Sequence, residues 1–521
     1  MAKTPYDKAI ASIKRSRTKR LAKLITKSYL LYRRKQDEQM YNLICEEFMS
    51  LGGVYVKFLQ GVLLRSTIMK KWHNPEKLNI FENLDHEPLD IGQLLQTELG
   101  KDRLSNIALI QPEPFAAGSF GQVYYARLRS GETVIVKVLR PMVRELLKHD
   151  LKLLSRFYKT FFVKMNKNMT VDIDTAFKEF AQATLRETDY KQEAGFATEM
   201  YQRYKNHPTI FVPKTYLELC TDNIIVQDYV DGVSMAHIVK MHEDGVDPVQ
   251  YAHDTTGSDL TFLLQEYGYE SLIGIFEMSK IQGDPHPGNL RVMKNNRIGL
   301  IDFGISAKPP TDMHGMYGLL ESYNGMLEGS QSAIDMFEHG LRFFVNDLYR
   351  SLRTIGDYLD RGGDRDYVNE VSKVAGKVFY EATGTDIVSL GKSNDDASVI
   401  IAINKLVNKG NRFGLVVKLE ASDMLRAIQT YTSMLSSLGL YQKVMPETLD
   451  KAINHIREEF PEVAIDNSES MDISTAIENI SNWLERVADR DPMLFSQLAE
   501  TIRSQSKNED VQLGLEGENN A

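Results

Sequence analysis

Three oxygen-bearing side chains fall close together near the middle of the chain. Asp284 and Asn289 stand five residues apart in "GDPHPGN" (283–289), and Asp302 follows in "LIDFG" (300–304). The stretch between them reads as strand, turn, strand, which would return Asp302 to the same edge as Asn289. Oxygen donors so placed suit magnesium, which prefers a tight octahedral set of oxygen ligands. A fourth residue of interest is Lys137 in "TVIVKVLRP", set among Ile135, Val136, Val138 and Leu139. A strand that apolar is buried, and an ammonium within it needs a partner. Fourteen residues before Lys137, "AAGSFGQV" (116–123) ends at Val123. It opens an alternating stretch in which Val123, Tyr125 and Leu128 fall on or near one face.

The order of these pieces carries more than any one of them. Protein kinases cover nucleotide phosphates with a G-x-G-x-x-G-x-V loop and contact them through a lysine on a V-A-I-K strand. A loop Asp positions the attacking hydroxyl, and an Asn five residues on joins the Asp of D-F-G in holding metal. Ala116 stands at the first glycine of this pattern, and Gly118 and Gly121 at the others. An edge lysine, a Pro/Gly-rich turn and an unrelated D-F-G tripeptide would explain each piece singly, but not their order. The combination predicts an α+β, bilobal, protein-kinase-like fold. It would have a small β-rich N lobe, a helical C lobe, an N-terminal helical extension and C-terminal helices. Ordinary protein kinases read H-R-D, with a lysine two residues after the Asp. Here Gln282-Gly283 precede Asp284, and His286 takes the lysine position. The pattern G-D-x-H-x-x-N is shared with aminoglycoside and choline kinases, so this segment alone does not choose between them.

Taken whole, the chain resembles the UbiB/AarF family of atypical kinases from about residue 45 to past residue 310. That family's alanine-rich loop corresponds to Ala116-Ala117-Gly118-Ser119-Phe120-Gly121-Gln122-Val123. Its E-x-D-Y-x-x-E-A signature matches Glu187 to Ala194, and its D-P-H-P-G-N loop matches Asp284 to Asn289. Its K-x-G-Q motif corresponds to Lys57-Phe58-Leu59-Gln60, with Leu59 in place of glycine. The resemblance implies an ATP-binding, magnesium-dependent kinase or ATPase linked to isoprenoid-quinone metabolism, acting on a small lipid-like or quinone-precursor molecule. Alternatives are a small-molecule hydroxyl kinase and a nucleotide-binding pseudokinase scaffold. By the same resemblance Lys137 contacts the phosphates and pairs with Glu193, while Ala116, Ala117, Gly118 and Ser119 cover the nucleotide. Backbone groups of Gln227 to Tyr229 would meet adenine. Asn289 and Asp302 would hold magnesium, and Asp284 would position water or a hydroxyl. Lys57 and Gln60 would cap the site, with Glu187 and Asp189 binding a cation or holding that cap. Leu59 lacks glycine's conformational freedom, so the cap would sit differently here. Gly118, where relatives carry alanine, would let the loop approach phosphate more closely.

The surrounding chain must position these groups. It has 521 residues, 42% hydrophobic and 26% charged, a globular composition. The expected parts are a helical extension over 1–110, an N lobe over 111–226 with a helical insert at roughly 141–185, a C lobe over 227–445, and C-terminal helices with a polar tail over 446–521. The two cysteines form no C-x-x-C pair, which points to a reducing compartment without a disulfide scaffold or cysteine zinc site. Neither a signal peptide nor an 18-residue apolar run is visible, so a cytoplasmic location is expected. A net charge of −9 argues against a general nucleic-acid binder. Residues 1–35 nevertheless carry twelve Lys/Arg against the single acid Asp7. Within 14–35, Leu21, Leu24, Ile25 and Ser28 fall at helical spacing. Such a helix either lies on an anionic membrane surface or docks its apolar stripe on its own protein. Oligomeric state is not legible.

Overall fold

The structure, a computed structural model, describes residues 5–59, 89–118, 120–160, 173–330 and 419–464, together with 339, 351 and parts of 475–486. Gln60 and Ser119 lie outside the described residues. The chain divides into two units, one of Met1–His237, Asp254–Ser258 and Gly288–Ser306, the other of Ile238–His253, Asp259–Pro287 and Ala307–Ala521.

The first unit begins with three helices, α1 (Pro5–Arg33), α2 (Asp37–Leu51) and α3 (Val54–Phe58), followed by α4 (Ile91–Leu104). Asp90 starts α4 by accepting a hydrogen bond from the Gln93 amide at 3.0 Å, which satisfies one of the helix's orphan donors. The strands β1 (Ile107–Ile110), β2 (Ala116–Ala117), β3 (Gly121–Leu128) and β4 (Thr133–Leu139) come next. Helices α5 (Val143–Tyr158), α6 (Ile173–Arg186) and α7 (Tyr190–Tyr204) follow, then β5 (Ile210–Phe211), β6 (Ile224–Asp228) and β7 (Val233–Ser234). A hairpin of β8 (Leu290–Met293) and β9 (Arg297–Leu300) completes the unit. Asn295 and Asn296 turn it with φ of 62° and 50°, a backbone region asparagine tolerates better than most residues. The strand β1 lies in the stretch expected to be helical, because Ile107 and Ile110 find an edge to pair with on β3.

The five-stranded sheet runs β1-β3-β4-β6, with β2 also on β3, and every pairing is antiparallel. Its register puts Lys137 opposite Val123 and Ile225, and Ile135 opposite Tyr125 and Gln227. Strict alternation then separates two faces. Tyr124, Ala126, Leu128, Val134, Val136 and Val138 turn to one side, where they pack with Ile91, Leu95 and Leu99 of α4. Val123 and Tyr125 are half-buried and belong to the opposite face, with Lys137. The expected grouping of Val123 and Tyr125 with Leu128 is thus corrected. Leu128 is an odd number of residues from both, so the pleat puts it across the sheet.

The N-terminal helices join a separate core with α5 and α6, centred on Phe48, Tyr55, Phe58, Phe157 and Phe177. Edge-on ring contacts run from Phe48 to Tyr55 at 5.6 Å and to Phe157 at 5.1 Å. Fully burying each such side chain contributes about 1.5–3 kcal/mol. Leu21 and Leu24 of α1 are 2% and 3% exposed within this core, and Ser28 is buried too. The apolar stripe of α1 therefore docks on its own protein, the second of the two readings that its spacing allowed. Arg17 of α1 pairs with the buried Asp150 of α5, which also accepts a 3.0 Å hydrogen bond from the Tyr55 hydroxyl. A buried carboxylate is tolerable only when so compensated. Leu59 is 1% exposed, with φ −58° and ψ −53°. Any L-residue adopts that helical conformation, so leucine causes no backbone strain where the family motif has glycine.

In the second unit, α8 (Met235–Glu243), α9 (Pro248–Thr256), α10 (Leu260–Glu277) and α11 (Met313–Leu327) are joined by α12 (Leu419–Ser437) and α13 (Tyr441–Glu459). Asp259 caps α10 and Asp312 caps α11 through their carboxylates. Tyr431 of α12 donates a 2.7 Å hydrogen bond to the Leu264 carbonyl of α10. No helix among the described residues is long and apolar enough to cross a membrane.

Candidate nucleotide-phosphate site

Lys137 sits mid-strand on β4, and its ammonium is 2.7 Å from the Glu193 carboxylate and 3.8 Å from Asp302. Glu193 comes from the first turn of α7 and is buried. Asp302 is half-exposed, and one of its oxygens accepts from the Gly304 amide at 2.9 Å. Between them Phe303 is 2% exposed and meets Phe196 of α7 edge-on at 6.0 Å. The helix that supplies Glu193 thus also fixes the backbone that presents Asp302. Burial alone would pull the Lys137 ammonium down, but Asp302 and Glu193 together push it above its usual range. Burial pushes the Glu193 carboxyl up, with Lys137 working against it. The result is a cation held in place on the half-exposed face of the sheet, beside the half-exposed Asp302 carboxylate.

Asn289 ends the short turn before β8, and its carbonyl accepts from the Ile301 amide at 3.1 Å. Asn289 is thereby backbone neighbour to the residue just before Asp302. One carboxylate and one amide oxygen are a sparse set, and no group of three or more His, Cys, Asp or Glu able to hold a metal occurs among the described residues. Magnesium suits such a set, because it usually keeps several waters and takes the substrate's phosphate oxygens as further ligands. The donor chemistry therefore fits magnesium. Asp284 lies in the other unit, in the loop before that turn.

Above Lys137 runs the loop. Ala116 and Ala117 are exposed and pair with β3, and the Gly118 amide donates to the Gly121 carbonyl at 2.9 Å. Nothing lies within 4 Å of a methyl placed on Gly118, and its backbone is not in the left-handed region. Gly121 differs: a methyl there would stand 2.6 Å from the Tyr190 hydroxyl and 2.8 Å from the Val138 carbonyl oxygen. Glycine is required at 121 by space. Phe120, at the loop tip, is buried in the aromatic core, with the Lys57 ammonium 5.0 Å from its ring centre.

Lys57 also pairs with Glu187, both half-exposed, so α3 and the start of the acidic signature are tied together. Asp189 has another role: its carboxylate caps α7 by accepting from the Gln192 amide at 3.1 Å. It precedes the helix that carries Glu193, where a carboxylate is favoured by the helix's free amides and dipole. At the strand expected to meet adenine, the Gln227 side chain is buried and donates to Thr215 at 3.0 Å. The Asp228 and Tyr229 amides donate to Lys214 and Thr133 carbonyls. Those two donors are therefore engaged within the protein. Tyr229 meets Tyr125 edge-on at 5.0 Å, and Phe115 stacks on Tyr125 at 4.2 Å. Neither this aromatic row nor the place of Tyr190 was read from the sequence; the alternation of β3 held the signal for Tyr125.

Residues 83–323 match the family model described as an ABC1 atypical kinase-like domain. Over those residues the chain is similar to the ABC1 atypical kinase-like family. It is 30% identical over 272 residues to "Protein ACTIVITY OF BC1 COMPLEX KINASE 1, chloroplastic" of Arabidopsis thaliana, covering 51% of this chain and 37% of that protein. It is 29% identical over 277 residues to "Uncharacterized aarF domain-containing protein kinase At1g71810, chloroplastic" of the same plant, covering 52% and 37%. A third relative, "Uncharacterized protein sll1770" of Synechocystis, is 24% identical over 364 residues, 68% of this chain and 59% of that one. The chain thus spans less than two thirds of the length of these relatives. Lys57 precedes the residues matched to the ABC1 domain, whereas Lys137, Glu193, Asp284, Asn289 and Asp302 lie within them.

Proposed function

We propose that the ABC1 domain binds MgATP and works as an atypical kinase or ATPase of kinase-like, two-lobed build. The observation that carries this reading is the Lys137 ammonium, held by Glu193 at 2.7 Å and Asp302 at 3.8 Å beneath a loop with an obligatory glycine. Lys137 contacts the α/β-phosphates and Glu193 orients it. Asn289 and Asp302 hold magnesium, which offsets phosphate charge, and Asp284 positions water or a small hydroxyl. Ala116, Ala117 and Gly118 cover the phosphates, as does Ser119. Adenine meets the chain near Gln227 to Tyr229, through carbonyls there and amides beyond Tyr229. The Lys57–Glu187 pair holds the cap that Lys57 and Gln60 form.

The acceptor is a small lipid-like or quinone-precursor molecule, and the setting is isoprenoid-quinone or lipid metabolism in the cytoplasm. The ABC1-family relatives support the kinase part of this reading. Peripheral contact with an anionic membrane falls to the outer face of α1, where Arg15, Lys19, Lys23 and Lys27 are exposed.

The test is phosphate release from MgATP by purified protein, alone and with anionic liposomes plus a phenolic quinone-precursor analogue. Turnover should be measurable and should vanish in Asp302→Asn. Binding of MgATP with no turnover under any condition would replace the enzyme by a nucleotide-binding scaffold, and transfer of labelled phosphate to a soluble alcohol would favour a small-molecule kinase.

A further inference from the structure

Tyr190 opens α7 between the cap Asp189 and the buried Glu193. The residue is 2% exposed, and its ring centre lies 5.3 Å from the Lys137 ammonium. The other end of the side chain reaches the loop. A methyl on Gly121 would be 2.6 Å from the Tyr190 hydroxyl, so that oxygen fills the space a side chain would take at the loop's last glycine. Among the described residues no hydrogen bond to this hydroxyl is formed. The side chain thus spans from the Lys137 ammonium, which faces its ring, to the loop backbone at Gly121, which its hydroxyl meets. Under the nucleotide reading above, on which this inference rests, that is where phosphate oxygens would sit.

We infer that the Tyr190 hydroxyl is a phosphate-contacting group, donating a hydrogen bond to a phosphate oxygen of the nucleotide held by Lys137. The ring and the hydroxyl have separable tasks. The ring supports the ammonium through its face, and the hydroxyl supplies a charge-assisted donor once an anion arrives. Burial pushes the phenol up to about 12, so it keeps its proton throughout the neutral range.

Tyr190→Phe keeps the ring and removes only the donor. By calorimetric titration it should bind MgATP about tenfold more weakly than wild type, the ratio expected for one lost hydrogen bond to a charged group. Adenosine, which carries no phosphate, should bind both proteins equally. Unchanged MgATP affinity overturns the inference and leaves the nucleotide reading standing. Equal weakening for MgATP and adenosine also overturns it, because a purely structural role would act on both. A wild-type protein that binds no MgATP overturns the inference and the nucleotide reading together. 3-Fluorotyrosine placed at 190 gives a nearly isosteric check should the phenylalanine variant fold poorly. Its fluorine resonance should move with MgADP but not with adenosine, and a resonance indifferent to MgADP would refute the contact.

Discussion

Two lysine–glutamate pairs flank the start of α7, and they differ chiefly in depth. Lys137 and Glu193 meet at 2.7 Å with the carboxylate only 3% exposed, whereas Lys57 and Glu187 are 24% and 29% exposed. The deep pair has displaced water from an acid that burial pushes toward neutrality. Losing one member strands the other in a poor medium for charge. The shallow pair leaves both ends partly hydrated, so its members part at little cost. Depth thus sorts the two pairs, one fixing the Lys137 site and the other a shallow tie between α3 and the segment before α7.

The comparison breaks most directly at Glu193. Glu193→Ala should destabilise folding by about 3–5 kcal/mol, toward the lower end because Asp302 still faces Lys137. Urea unfolding measures it, and a loss below 1 kcal/mol would mean the deep pair behaves like a surface one. The pH dependence sharpens the point. The Lys137 ammonium is pushed above its ordinary 10.5 in the folded state. Its contribution to stability is therefore whole below pH 10.5 and fades as pH rises through the raised value. Wild-type stability should fall above that pH more steeply than that of Lys137→Met, with the urea midpoint at pH 9 and pH 11 as the reading. Gly121→Ala comes next, at about 1–3 kcal/mol, because its methyl would overlap the Val138 carbonyl as well as Tyr190. Adding Tyr190→Phe should recover only part, since the backbone clash remains. Gly118→Ala, with nothing nearby, should leave stability unchanged. Lys57→Ala should cost under 1 kcal/mol in stability while changing MgATP turnover, because it removes the contact between α3 and the Phe120 ring at the loop tip. Unchanged turnover would show that the shallow pair has no part in gating.

Much of this was legible in the sequence because chemistry and spacing agreed. Lys137 stood in an apolar strand and needed a counter-charge, and Glu193, 56 residues on, supplies it. The alternating runs around 121–139 became β3 and β4, and "RVMKNNRIG" became a hairpin. The failures have local causes. The capping role of Asp189 was not legible because the sequence does not mark where the first turn of α7 begins, and one residue separates a face from a cap. Leu128 was grouped with Val123 and Tyr125 because the alternation was not followed strictly to the end of β3, where its odd offset turns it to the other face. Tyr190 gave no signal, since a tyrosine in an acidic signature reads as packing until the glycine above it is seen to make room. Leu59 takes ordinary helical backbone angles, so it carries no strain where the family motif has glycine.

The Arg17–Asp150–Tyr55 network carries a consequence for how the chain is made. Its partners are 133 and 95 residues apart. Synthesis at about 5–20 residues per second leaves α1 and α2 waiting roughly ten seconds before α5 exists to cover them. Through that interval Leu21, Leu24, Ile44 and Phe48 have only one another and their neighbours on α1 to α3 to pack against, and a dense cluster of positive charge rides on the same stretch. Mutual repulsion among nascent chains would be the simplest protection against their sticking together, a service that the basic helix performs before the protein has folded at all.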